Sequence, residues 1–151
     1  MAERGLKECR VTAMNLLARR EHSSRELRQK LLSRGYEAEV VEVALTALIR
    51  ERLLSDERFV ESFVRSKISG GLGPLRLRQA LRDHDISSDV IEASLQSQPW
   101  LRLAAEVRQK RFGDALPERY EERAKQMRFL QYRGFSTEQI SGAMKQQYEW
   151  E

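Results

Sequence analysis

The chain has 151 residues, 40% hydrophobic and 33% charged, which suits one ordinary domain or a short array of small units with a thin, distributed core. Its net charge of +4 favours polyanions only where the charge is clustered. One cysteine excludes an internal disulfide framework, no apolar run approaches a membrane span, and the start, Met1 to Glu8, lacks the apolar centre of a signal peptide, so a cytoplasmic location is expected.

In chain order, Ala13, Leu16, Leu17 and Arg20 lie on a first helix that ends before His22. Ser23-Ser24-Arg25-Glu26 reads as a capping box with Ser23 as N-cap. Leu27, Leu31 and Leu32 follow at helical spacing, and Gly35 supplies a left-handed stop. Val40, Val41, Ala44, Leu45 and Leu48 form the stripe of an amphipathic third helix. The next helix is capped near Ser55-Asp56-Glu57, turns Phe59, Phe63 and Val64 inward, and is broken by Gly70-Gly71-Leu72-Gly73-Pro74, where Pro74 suits a first helical position. Ser87-Ser88-Asp89 restarts the chain before Val90 and Ile91. A further helix starts near Trp100, breaks at Phe112-Gly113-Asp114 and is predicted to resume at Pro117. Ser136-Thr137-Glu138-Gln139 forms a last capping box.

These elements repeat. Leu27-Arg28-Gln29-Lys30-Leu31 returns as Leu77-Arg78-Gln79-Ala80-Leu81 at an offset of 50 residues, which also places Val41 on Ile91 and Leu45 on Leu95. An offset of 99 places Leu31 on Leu130 and Arg34-Gly35-Tyr36 on Arg133-Gly134-Phe135. The expected fold is all-α: three tandem three-helix repeats stacked into an elongated, curved array of helix-turn-helix-like units. They divide into 1–54 (N-terminal tail and first repeat), 55–98 and 99–151, each too small to bury its own apolar faces alone.

No constellation for catalysis stands out. His22 and His84 sit at helix junctions with no partner at ligand spacing, and Cys9 reads as a surface thiol. The glycine loop at 70–74 follows a helix and lacks the Lys-Ser/Thr ending of a phosphate-binding loop. Glu121 and Glu122 read as solvated. No enzyme, cofactor or metal site is expected.

Charge is the more informative pattern. Arg65, Lys67, Arg76, Arg78 and Arg82 occupy a stretch without a single acid, whereas Arg19, Arg20, Arg25, Arg28, Lys30 and Arg34 face only Glu21 and Glu26. Arg108, Lys110 and Arg111, then Arg128 and Arg133, continue the pattern in the third copy, while the third helices lean acidic through Glu37, Glu39, Glu42, Asp89 and Glu92. Repeated basic surfaces suit a polyanion or an acidic partner.

Asp56-Glu57-Arg58-Phe59-Val60-Glu61-Ser62-Phe63-Val64-Arg65-Ser66, followed by Gly73-Pro74-Leu75-Arg76-Leu77-Arg78-Gln79-Ala80-Leu81, resembles the signature block of the RecX family. So do the flanking segments from Ala18 to Leu27 and from Phe129 to Phe135. The chain departs from the family pattern at Leu72, where an aromatic residue is common. It departs again at His84-Asp85, where Lys-Gly is common, so the turn before Ile86 is expected to differ in geometry. The resemblance implies a regulator of the recombinase RecA, without catalysis of its own, lying in the groove of the RecA–DNA filament and suppressing its ATPase, coprotease and strand-exchange activities. Arg25, Arg28, Arg34, Arg65, Lys67, Arg76, Arg78, Arg82, Arg108, Lys110, Arg111, Arg128 and Arg133 are the candidate contacts to RecA or to single- or double-stranded DNA. The chain is expected to act as a monomer, with no membrane partner. Two other readings are a direct DNA-binding regulator of helix-turn-helix type and a helical-repeat scaffold without a nucleic-acid role.

Overall fold

The computed structural model describes residues 2–145, with side chains from Gly5 onward; the ends of the first and third expected repeats, Met1 and residues 146–151, lie outside the described residues. Among these, nine α-helices and no strand occur: α1 (Ala2–Arg19), α2 (Ser24–Ser33), α3 (Ala38–Arg50), α4 (Asp56–Ser69), α5 (Pro74–Asp83), α6 (Ser88–Gln96), α7 (Trp100–Phe112), α8 (Tyr120–Tyr132) and α9 (Thr137–Ala143). No helix among them is long and apolar enough to cross a membrane. Three helices per repeat is the arrangement the sequence periodicity predicts. The start of α8 differs: it begins at Tyr120, after an extended Arg119, rather than at Pro117.

Local chemistry explains most boundaries. Ser23 Oγ accepts from the Glu26 N–H at 3.0 Å, Ser55 Oγ from Arg58 at 3.2 Å and Ser87 Oγ from Val90 at 3.4 Å. Each satisfies an orphan donor of a first turn. The box at Ser136 is complete, since Gln139 Oε1 also accepts from the Ser136 N–H at 2.9 Å. The box at Ser23 is only half formed. The Glu26 carboxylate turns to Arg20 and Lys30 instead, and Asp56 Oδ1 accepts from the Ser24 N–H at 2.7 Å.

Helices α2 and α8 end alike. Gly35 (φ +94°) and Gly134 (φ +98°) occupy the left-handed basin. Tyr36 N–H reaches Leu31 O and Phe135 N–H reaches Leu130 O, the long bond of a Schellman turn. Asp85 holds the corresponding place in the middle repeat at φ 57°. The turn before Ile86 therefore keeps the left-handed geometry despite lacking glycine, because a short Asp tolerates that basin better than most L-residues.

Residue contacts divide the chain into two compact units, one holding the chain up to Phe63 together with Asp83–Ile86, the other Val64–Arg82 together with the chain from Ser87 onward. In the first unit α1 and α2 pack against α3 over a core including Cys9, Ala13, Leu27, Leu31, Leu45 and Leu48. Cys9 is fully buried there, not at the surface, and burial raises its thiol pKa. In the second unit α7 packs against α8 and α9 around Ala104, Ala105, Leu130, Phe135, Ile140 and Met144.

Successive repeats meet through equivalent segments. Within the first unit Ser23 Oγ lies 2.7 Å from His84 Nδ1, and Arg25 pairs with Asp85 at 3.1 Å. The His84 ring packs on Phe59 and Phe63 at centroid distances of 4.6 and 5.6 Å. Within the second unit Gly73 N–H donates to Arg133 O at 2.7 Å and Leu75 N–H to Gly134 O at 2.9 Å. The 50-residue offset carries Ser23 onto Gly73, and Asp85 and Gly134 are the equivalent left-handed residues. At these equivalent positions one junction uses side chains and the other backbone hydrogen bonds.

Candidate functional site

Two of the expected contact residues are tied down by the repeat itself. Arg28 Nε and Nη2 donate to the two Glu42 carboxylate oxygens at 2.6 and 3.2 Å. Arg78 Nε and Nη2 donate to Glu92 at 2.9 and 3.1 Å. Both members recur at the 50-residue offset, so one forked Arg–Glu clamp joins the second helix of a repeat to its third, twice. At the 99-residue offset the positions are Met127 and Ser141, and the third copy has no such clamp. Hydrogen bonding from arginine is the leading reason the Glu42 and Glu92 carboxyls lie below the ordinary carboxylate range. Arg25 is likewise paired, with Asp85. Neutralised in this way, these three arginines offer less charge to an external partner than the sequence count suggests.

Arg108, which its sequence places among the surface contacts, is instead buried and only 1% exposed. Its Nη1 donates to Gln126 Oε1 at 3.2 Å and to Ala115 O at 3.4 Å, and its Nη2 to Asp114 O at 3.1 Å. Burial lowers its pKa, partly offset by the charge of Asp114. This guanidinium holds the α7–α8 loop.

The other candidates are at or near the surface. Arg34 forms the C-cap of α2. Arg65, Lys67, Arg76, Arg82, Lys110, Arg111 and Arg128 are exposed and Arg133 is half-buried. Arg65, Arg82 and Arg128 enter no ion pair among the described residues. Arg76 lies over the Tyr132 ring, 4.5 Å from its centroid.

The packing of α7 against α8 brings three of these cations to one place. Lys110 and Arg111 of α7 and Arg133 at the end of α8 line a cleft of about 560 Å³ in the second unit, over Ile68, Val107 and the Gly70–Gly71 turn. Arg133 Nη1 donates to Gly70 O at 2.9 Å. The Phe129 ring is flanked by Arg133 at 4.9 Å and Arg111 at 5.7 Å and meets the Phe112 ring edge-on at 5.3 Å. The sequence marks these cations; Phe129 and the glycine turn as parts of one cleft emerge only when α7 and α8 are packed.

Residues 9–48 match the RecX first three-helix domain, residues 55–95 the second and residues 101–144 the third. The chain belongs to the RecX family. Among RecX relatives, the "Regulatory protein RecX" of Halorhodospira halophila is 44% identical over 136 residues, covering 89% of this chain and 84% of its own. That of Vibrio vulnificus is 40% identical over 141 residues and 92% of both chains. A crystal structure of regulatory protein RecX superposes with a TM-score of 0.75 at 26% identity, over 93% of this chain and 71% of that one. The RecX crystal structure from Lactobacillus salivarius has a TM-score of 0.78 over 95% and 96% of the two chains, and at 19% identity it shows the shared fold.

This RecX chain also holds a titratable cluster beside the half-formed cap. Lys30 Nζ lies 2.9 Å from His22 Nε2, and His22 Nδ1 lies 3.1 Å from Arg20 O. An ammonium can only donate, so Nε2 accepts and Nδ1 carries the proton. Burial lowers the His22 pKa. For Glu26 burial pushes upward, but the Arg20 hydrogen bond and the charges of Arg20, His22 and Lys30 outweigh it and hold the carboxyl at about 2. Both folded-state values lie below the unfolded ones, so the folded state binds fewer protons and stability is lost as pH falls. The His22 share goes as pH drops through about 6.5, and the Glu26 share between about 4.5 and 2. Denaturant unfolding of Glu26→Gln should show a deficit of about 1–2 kcal/mol at pH 7, allowing for screening at the exposed Arg20. The deficit should shrink as the medium is acidified to about pH 2; a constant deficit would contradict the assignment.

Proposed function

We propose that this chain is a regulator without catalytic activity of its own that binds the RecA–DNA filament in the cytoplasm and suppresses RecA's ATPase, coprotease and recombinase activities, acting as a monomer in DNA recombination, repair and the SOS response. The observation that carries the reading is the match of all three repeats to RecX domains, together with relatives that bear the name regulatory protein. Exposed cations in a stretch that lacks acids, Arg65, Arg76 and Arg82, give such a regulator a surface for an acidic protein face or for phosphates.

Arg76 and Arg78 are the obvious pair for charge reversal, but Arg78 holds Glu92 and the Arg76 stem packs against Gly134. A reversal there would mix folding with binding. Arg65→Glu together with Arg82→Glu breaks neither contact, although Arg82 lies in the last turn of α5 and its charge acts on Glu92. The double variant should stay folded, with a melting temperature within about 5 °C of wild type, and lose at least about tenfold in potency as an inhibitor of RecA ATPase on single-stranded DNA, the equivalent of about 1.4 kcal/mol. Unchanged potency in the folded double variant would remove these residues from the interface.

A further inference from the structure

The cleft between α4, α7 and α8 has a composition that a phosphate backbone would not use fully. Its cations are Lys110, Arg111 and Arg133, and its floor is aliphatic, with Ile68, Leu103 and Val107 beneath them. A nucleic-acid strand could satisfy the charges, but it brings phosphodiesters and flat bases. Bases need an open aromatic face. The Phe129 ring does not offer one, since Arg133 and Arg111 stand over it and Phe112 abuts it. Stacked guanidiniums keep their planar forks oriented, the geometry that binds carboxylates in pairs. The Arg133 fork is further fixed by its bond to Gly70 O at 2.9 Å. Glu106, the one acid lining the cleft, is paired with Arg102 at 3.6 Å.

We infer that this cleft docks an acidic peptide segment of a partner protein, with an aliphatic side chain seated on Ile68, Leu103 and Val107 and flanking carboxylates held by Arg111, Lys110 and Arg133. A volume of about 560 Å³ fits a few side chains of an extended segment and is of the size usual for ligand pockets. The inference rests on the proposed regulatory role only in that the chain must work by binding a protein. It names the chemistry of one contact in that interaction.

The test uses the full chain and a fluorescein-labelled peptide, Glu-Glu-Leu-Glu-Asp-Leu-Glu, followed by anisotropy at low salt, with no RecA present. Three variants are compared: Lys110→Ala with Arg111→Ala, Leu103→Gln, and Arg34→Ala in the other unit as a control for net charge. Peptide binding should weaken at least about tenfold in the double variant. It should also fall about tenfold in wild type when both peptide leucines become serine, and stay within about twofold for Arg34→Ala. Leu103→Gln should weaken the leucine peptide but not the serine one. Peptide binding that ignores the double variant, or that is indifferent to the leucines, would overturn the inference. So would labelled oligothymidine binding that is tighter than the peptide and lost in the same variants. Should the chain inhibit RecA ATPase while the peptide fails to bind, the regulatory role stands and this cleft is excluded. Should the peptide bind while ATPase is untouched, the reverse holds.

Discussion

Gly73→Ala should cost at least about 3 kcal/mol of stability, near the top of what single substitutions do. A Cβ at Gly73 would sit 2.5 Å from Gly134 C, 2.6 Å from Gly134 O and 2.6 Å from Phe135 N. All three are backbone atoms of a left-handed turn that is held by its own hydrogen bonds, so no rotamer change relieves the clash. Relief requires the α4–α5 loop to withdraw, which breaks the Gly73–Arg133 and Leu75–Gly134 bonds and strands buried backbone groups. Gly35→Ala provides the scale. It meets nothing within 4 Å and suffers only from its φ of +94°, so about 1–2 kcal/mol is expected. Urea unfolding of the two variants measures the difference, and equal losses would contradict the close backbone approach.

Arg108→Met should cost about 1–3 kcal/mol, because it removes the donor of a buried polar set and leaves neutral acceptors behind. Methionine fills much of the volume but donates nothing, so Asp114 O, Ala115 O and the Gln126 amide oxygen lose their donor. The arginine is itself imperfectly housed, with its Nε unpaired, and its burial lowers its pKa. These costs cap the net benefit but do not reverse it, since the carbonyls remain when the charge is gone. Hydrogen exchange should locate the loss in residues 113–119, the loop the guanidinium spans. A variant as stable as wild type would mean that burying the charge cancels all that its bonds return.

Much of the fold is legible because the repeat is written in apolar and turn residues. Gly35 and Gly134 mark the same left-handed stop, and the 50-residue offset that aligns Leu27 with Leu77 also aligns both halves of the Arg28–Glu42 and Arg78–Glu92 clamps. Reading the arginines for local i+4 partners hides those clamps, since their acids lie on the next helix. Cys9 and Arg108 mislead for a related reason. Cys9 continues the stripe of Ala13 and Leu16 into the core. Arg108 sits one turn beyond Ala104 and Ala105 on the buried face of α7. In each case the helical phase is visible, while nearness to the N-terminus argues for the surface at Cys9 and residue type argues for it at Arg108. The cationic cleft was half legible: Lys110, Arg111 and Arg133 stand out as charges, but their convergence on Phe129 and the Gly70–Gly71 turn depends on how α7 meets α8. The start of α8 at Tyr120 was hidden because Pro117 is a good first helical residue, whereas Arg108 holds the carbonyls just before it in a loop.

The most direct test of the regulatory role is the rate of RecA ATP hydrolysis on single-stranded DNA, with the chain added well below one copy per RecA protomer. A filament regulator should depress the rate in a dose-dependent way at such ratios, and more weakly when Arg65 and Arg82 are both reversed. A rate that stays unchanged up to equimolar protein would contradict it.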